Sequence, residues 1–71
     1  GPFCLFFFSR EEKRIHVHVA HPDGEAKFWL HPRVELAVNI GLTSAQLRQA
    51  QVVVEAHYRE IEDAWRRHFG S

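Results

Sequence analysis

Residues 15–30 read IHVHVAHPDGEAKFWL, and this stretch decides the fold because two strand patterns flank a tight turn within it. Apolar and polar side chains alternate through residues 15–19 and again through residues 25–30, which is the period of a half-buried strand. Asp23-Gly24 separates the two patterns, and this dipeptide favours the positive φ values of two-residue hairpin turns. The stretch therefore predicts a β-hairpin.

The position of the turn also predicts which residues lie opposite each other. With the turn at Asp23-Gly24, the apolar sides of the two strands coincide. Four cross-strand pairs follow: Val19 with Phe28, Val17 with Leu30, His18 with Trp29, and His16 with His31. We call the side of the sheet that carries Val17 and Val19 the helix face, and the opposite side the second face.

Two more strands are predicted outside the hairpin. Residues 3–8 are aromatic or apolar throughout, which is typical of a buried strand. Residues 34–40 alternate again, and this alternation outweighs the helix propensity of Glu35, Leu36 and Ala37. The pattern predicts that four apolar residues share one side of the last strand: Val34, Leu36, Val38 and Ile40.

The C-terminal part of the chain has the pattern of one long amphipathic helix. Thr43 and Gln46 are spaced as a capping box at its start, and Gly70 is a typical terminator. Its apolar stripe comprises Leu47, Ala50, Val54, Tyr58, Ile61, Trp65 and Phe69. A helix over residues 44–69 is about 39 Å long, whereas a six-residue strand is only about 20 Å long. The helix must therefore bend near His57, or pack its C-terminal half on another subunit or on further residues.

Together these elements predict an α+β fold with a single domain over residues 1–71, because 71 residues have room for one hydrophobic core. The sheet is antiparallel, has three to four strands joined by hairpins, and is covered on one face by one long C-terminal helix. The expected bounds are about residues 3–8, 15–20, 25–30 and 34–40 for the strands and about residues 44–69 for the helix. Gly1-Pro2 is compatible with a protease-site remnant of an expression tag and equally with the start of a piece trimmed from a longer chain.

The composition indicates a globular protein without a strong electrostatic preference. Nine basic and nine acidic side chains cancel, so the charge does not indicate nucleic acid or an anionic membrane as a partner. Cys4 is the single cysteine and has no intrachain disulfide partner, which favours a reducing compartment and a cytoplasmic location. The apolar run over residues 3–8 is too short to cross a bilayer, so no membrane partner is expected.

Three histidines on the predicted second face suggest a metal site. His16 and His18 are two residues apart on one strand, and the predicted register adds His31 across the ladder. Three imidazoles with one open position are a ligand set that suits zinc. The competing interpretation is that these histidines are outward-facing polar residues of a solvated sheet face.

A small ribonuclease is a further hypothesis. His16 and His31 would act as general acid and base on a phosphodiester, and Lys27 would stabilise the developing negative charge. No base-binding pocket is indicated, and the sequence has no Gly-rich phosphate loop or second cysteine. A non-enzymatic role is therefore favoured over catalysis.

The second face also carries large aromatic residues, because one helix covers only one face of a sheet. Exposed aromatic patches commonly mark sites of association. The predicted interaction surface comprises Phe6, Phe8, His16, His18, Trp29, Trp65 and Phe69. We therefore expect the isolated chain to form a homodimer in which Trp29 is buried by association.

Several motifs in combination resemble a known family. They are Phe6-Phe7-Phe8-Ser9, His16-Val17-His18-Val19, Gly24-Glu25-Ala26-Lys27-Phe28-Trp29-Leu30, Gly41-Leu42 and Ala64-Trp65. The chain resembles, over nearly its whole length, the small bacterial proteins known as domain of unknown function 4160. The resemblance implies a short cytosolic protein with a protein partner, either itself or a small protein encoded by a neighbouring gene in a toxin–antitoxin-like pair. It also favours His16 and His18 as the first positions to test.

Overall fold

The computed structural model describes residues 2–8 and 13–70. Four strands are followed by two helices: β1 Cys4–Phe6, β2 His16–His21, β3 Gly24–Trp29, β4 Glu35–Ile40, α1 Ser44–Ala56 and α2 Tyr58–Phe69. The strands form one open sheet in the order β1-β2-β3-β4, and each neighbouring pair is antiparallel. The predicted α+β class with a four-stranded antiparallel sheet is confirmed.

The β2–β3 hairpin has a different turn from the predicted one. Pro22 and Asp23 are the two turn residues, because His21 already pairs with Gly24. The observed pairs are Val19 with Ala26, His18 with Lys27, Val17 with Phe28, and His16 with Trp29. The predicted register is therefore wrong by two residues. Since side chains alternate with a period of two, this shift leaves every side chain on its predicted face.

Gly24 explains why the turn lies one residue earlier. A Cβ atom at this position would overlap the carbonyl oxygen of Ile40 at the end of β4. Gly24 is therefore the first residue of β3, where β4 passes close to its backbone, and it does not have the positive φ that we expected of a turn glycine. Gly41 has that conformation instead, with φ +83°.

The helical layer consists of two helices and not one continuous helix, and of the expected alternatives the break near His57 is the one observed. α1 begins with the predicted capping box, in which Gln46 N–H donates to Thr43 Oγ1 and Thr43 N–H donates to Gln46 Oε1. It ends at His57, whose φ of −111° and ψ of 22° interrupt the helical path. A 13-residue helix is about 20 Å long, which matches the length of the strands below it. The break removes the overhang of a single long helix.

The core lies between the helix face and the two helices. Val17, Phe28 and Leu30 are buried on the sheet side, and Val54 and Ile61 are buried on the helix side. Tyr58 packs against this core, and its hydroxyl donates a 3.0 Å hydrogen bond to the carbonyl oxygen of Leu30. The apolar stripe of the sequence therefore packs on the helix face.

β4 has a β-bulge that changes which of its side chains face the helices. Lys27 pairs with Val38, but the next residue of β3, Phe28, pairs with Leu36, so Ala37 is the extra residue. An extra residue reverses the alternation of side chains beyond it. Val38 and Ile40 therefore lie on the second face, and the prediction that they share one side with Leu36 is wrong.

Two glycines offer a matched test of this packing. We expect Gly24→Ala to lower the free energy of unfolding by at least about 2 kcal/mol, because the added Cβ displaces the backbone of β4. Gly70→Ala, where φ is +82° but the space around the Cβ position is open, should cost only about 1 kcal/mol of backbone strain. Urea denaturation of both variants measures the difference. Equal losses at the two positions would contradict the close approach of β4 to Gly24.

Candidate interaction surface

His16 lies at the centre of an aromatic cluster and is fully buried. Its ring makes edge contacts with Trp65, His18 and Trp29, with ring centroids 4.9, 5.2 and 5.6 Å away. Nδ1 lies 2.7 Å from the carbonyl oxygen of Arg14. Because a carbonyl oxygen only accepts, Nδ1 carries a proton and donates this hydrogen bond. His16 is therefore a packed, oriented residue of the interior.

His18 is also buried, although β2 presents it on the second face. Phe6 stacks on its ring with a centroid distance of 5.3 Å, and Phe8 meets it edge-on at 4.6 Å. Its Nδ1 lies 3.7 Å from Oε2 of Glu25 on β3. The aromatic residues of the N-terminal segment thus cover this part of the second face within one chain.

Trp65 reaches His16 because β1 is short. β1 ends at Phe6, opposite His18, so in the described residues no strand of the sheet lies beside His16 on that side. α2 supplies Trp65 there, and Phe7 and Phe69 pack on the same indole at 5.5 and 4.2 Å. Among the residues that we expected on an interaction surface, His16, His18 and Trp65 are therefore buried in the monomer.

Trp29 is half-buried and has two cations close to its ring. The guanidinium of Arg14 lies 4.3 Å from the centroid of the indole, and the ammonium of Lys27 lies 4.5 Å from it. Arg14 also donates to the carbonyl oxygen of His31 at 2.9 Å and lies 4.0 Å from a carboxylate oxygen of Glu35. Much of the Trp29 ring is thus covered by neighbouring side chains of the same chain.

His31 belongs to a different part of the molecule from His16 and His18. It follows β3, in a loop with a cis peptide bond to Pro32. Its Nε2 lies 3.1 Å from Oε2 of Glu62 on α2, and its Nδ1 lies 3.5 Å from the Tyr58 hydroxyl. These contacts tie the loop to α2. The predicted pairing of His16 with His31, on which the three-histidine geometry depended, is wrong.

The geometry gives little support to either chemical hypothesis. Within residues 2–8 and 13–70, no group of three His, Cys, Asp or Glu side chains is close enough to hold a metal ion. For RNA cleavage, His16 has no exposed surface with which to reach a phosphodiester. Lys27 lies opposite His18 and over Trp29, while His31 contacts Glu62.

Large exposed apolar side chains are instead concentrated on β4. Leu36, Val38 and Ile40 are 41, 45 and 62% exposed, and because Val38 and Ile40 share the second face, we call these two residues the β4 patch. A shallow groove of about 210 Å³ runs beside Val38 and Ile40, with His18, Glu25 and Lys27 on its other side. Sequence reasoning missed this patch because the bulge at Ala37 interrupts an alternation that looks continuous in the sequence. The sparse charge of residues 35–40 is the one signal that points to it.

Two further apolar features lie away from β4. Phe8 is 49% exposed at the end of the N-terminal aromatic segment. A cleft of about 570 Å³ opens between β1 and the helices, with a His57–Glu60 pair, 2.9 Å apart, on its rim. Its apolar lining includes Phe3, Leu5, Val17, Val53, Ile61 and Ala64.

The fold and its surface define a small α+β domain in which an open four-stranded antiparallel sheet carries two C-terminal helices. The family model described as domain of unknown function (DUF4160) matches residues 3–66, and the chain belongs to this family. No curated protein and no solved structure matches the chain. Across residues 2–8 and 13–70, no helix is long and apolar enough to cross a membrane.

The packing role of His16 is testable. We expect His16→Ala to lower the free energy of unfolding by about 2 to 4 kcal/mol, because it empties a buried site between Trp29 and Trp65. His57→Ala, at an exposed side chain between the helices, should change it by about 0.5 kcal/mol or less. Chemical denaturation of the two variants measures both values. A His16→Ala variant as stable as the parent chain would mean that the ring does not contribute to packing.

Proposed function

We propose that the chain is a protein-interaction module whose contact surface is the β4 patch. The observation that carries this proposal is the exposure of Val38 and Ile40 on one face of a strand at the edge of the sheet. Apolar groups clustered on a surface commonly mark contacts with another protein. An edge strand adds backbone donors and acceptors for a partner strand. The proposal moves the contact surface from the aromatic cluster to β4.

The charge distribution supports a protein partner over nucleic acid. The net formal charge is zero, and Glu35 is the single charged residue of β4. Binding to nucleic acid depends on many phosphate contacts from basic side chains, which this strand lacks. Residues at the fully desolvated centre of a protein interface are seldom charged. β4 likewise has only one charged residue.

Two partners are compatible with this surface. One is a second copy of the chain, and the other is a small protein encoded by a neighbouring gene, in an arrangement like a bacterial toxin–antitoxin pair. The second follows from the family resemblance, and with it we propose a cytoplasmic location. Both partners would use the β4 patch, so one set of substitutions tests the function for both.

The experiment compares Ile40→Lys with Val52→Lys. Ile40 and Val52 are 62 and 64% exposed, but Val52 lies on α1. The protein is purified alone and after co-expression with the neighbouring gene product, and light scattering gives the molar mass. In at least one preparation we expect a mass above the 8.3 kDa of the monomer, which Val52→Lys preserves and Ile40→Lys abolishes.

Two results would refute the proposed function. One is a monomer in both preparations of the parent protein at concentrations up to about 500 µM. The other is an assembly that Ile40→Lys leaves intact, because a lysine on an edge strand opposes association there.

A further inference from the structure

We infer that β4 pairs with β4 of a second copy in an antiparallel manner, so that two four-stranded sheets join into one of eight strands. This inference rests on the proposed function and names the partner and the geometry of the contact. A two-fold axis relates the copies, as in most small homo-oligomers. Four observations on β4 lead to it.

The first observation is that β4 is the longer of the two edge strands. β1 has three residues, whereas β4 has six. In the described part of the chain, β4 has a neighbour on one side only, namely β3. Natural edge strands are usually protected by shortness, by proline or lysine along the edge, or by a β-bulge. β4 is not short and contains neither proline nor lysine, and its bulge at Ala37 leaves residues 38–40 as a regular free edge for pairing with another strand.

The second observation is the position of the bulge. Ala37 interrupts the ladder, but the pairs on its C-terminal side are regular: Val38 with Lys27, Asn39 with Ala26, and Ile40 with Glu25. A regular segment is therefore available for pairing at residues 38–40. Because Val38 and Ile40 share the second face, an antiparallel neighbour would bring the same two residues of both copies together there. The four side chains would form one apolar contact.

The third observation is the position of the single charge. Glu35 is the first residue of β4, and Arg14 already lies 4.0 Å from its carboxylate. In antiparallel pairing with Val38 opposite Ile40 of the second copy, the two Glu35 residues lie eight residues apart along the strands, at a distance of about 27 Å. That separation exceeds the screening length of about 8 Å at physiological salt. Parallel pairing would instead place the two carboxylates side by side, so the charge favours the antiparallel arrangement.

The fourth observation is that the strand carries few competing polar side chains. Apart from Glu35, Asn39 is the polar residue of β4, and its side chain is already hydrogen-bonded to Leu42. Its Nδ2 donates to the carbonyl oxygen of Leu42, and its Oδ1 accepts from the Leu42 N–H, both at 3.0 Å. Asn39 therefore holds the end of β4 against the start of α1 and leaves the contact to apolar groups and the backbone.

The small size of the contact is typical of transient association. One strand edge and a few side chains bury less than the roughly 800 Å² per partner of a standard specific interface. We therefore expect a reversible dimer with a dissociation constant on the order of 10 to 100 µM, as for small transient interfaces.

Sedimentation equilibrium of the purified chain alone, from about 5 to 500 µM, tests the inference across the expected range. The parent protein and Val52→Lys should change from monomer to dimer with rising concentration. Val38→Lys and Ile40→Lys should remain monomeric, with an association constant at least about tenfold lower. Circular dichroism of each variant checks that it is folded. A parent chain that stays monomeric at the highest concentration would overturn the inference.

Two further readouts keep the result independent of any one variant. In amide hydrogen exchange of the parent chain, residues 38–40 should become more protected as the dimer forms, while β1 stays unchanged. Glu35→Gln should leave the dimer affinity unchanged. A stronger dimer in that variant would indicate adjacent carboxylates, and so would refute antiparallel pairing. Protection of β1 with β4 unaffected would refute the β4 contact itself.

The outcomes separate this inference from the proposed function. A chain that is monomeric alone but binds the neighbouring gene product, in a complex that Ile40→Lys disrupts, refutes the self-pairing and supports the interaction module. A monomer that also fails to bind that product refutes both. A dimer that both lysine variants weaken, and that Val52→Lys does not, supports both.

Discussion

The burial of β2 on both faces is the constraint on which the rest of the structure depends. Val17 and Val19 pack against the helices, while His16 and His18 are buried on the opposite side. A single helical layer covers only one face of a sheet, so the second face needs another cover at β2. The N-terminal segment and the end of α2 supply that cover with aromatic side chains. The result is a central strand enclosed on both sides in a chain of only 71 residues.

The break at His57 follows from the same requirement. A single straight helix of this length would extend past the sheet, and Trp65 would have nothing below it. Because the chain turns at His57, α2 brings Trp65 to the edge of the sheet left open by the short β1, where it contacts His16. Tyr58, which donates to Leu30 O, and Glu62, which contacts His31, fix the direction of α2 against the loop after β3. The short β1 and the helix break are therefore linked features.

This arrangement also determines which surface remains for a partner. The aromatic cluster buries His16, His18 and Trp65, which the sequence predicts to lie on an interaction surface. Arg14 and Lys27 cover much of Trp29. β4 lies at the other edge of the sheet, beyond the reach of the described N-terminal segment. Its bulge turns Val38 and Ile40 away from the helices. The second face is thus enclosed at β2 and open at β4, and the proposed contact lies where the chain does not cover itself.

The sequence by itself determined the features that depend on near neighbours in the chain. The alternation of residues 15–19 and 25–30 predicted two strands with the correct faces, and Thr43 and Gln46 predicted the observed start of α1. Only the tertiary structure decided the turn at Pro22 and Asp23, because the close approach of Ile40 O makes Gly24 a strand residue. It also decided the bulge at Ala37 and the burial of His16 under Trp65, and it chose the break at His57 from the alternatives that the length of the helical pattern left open. Each of these depends on contacts between residues far apart in the chain, whose energies outweigh local preferences and leave no periodic pattern in the sequence.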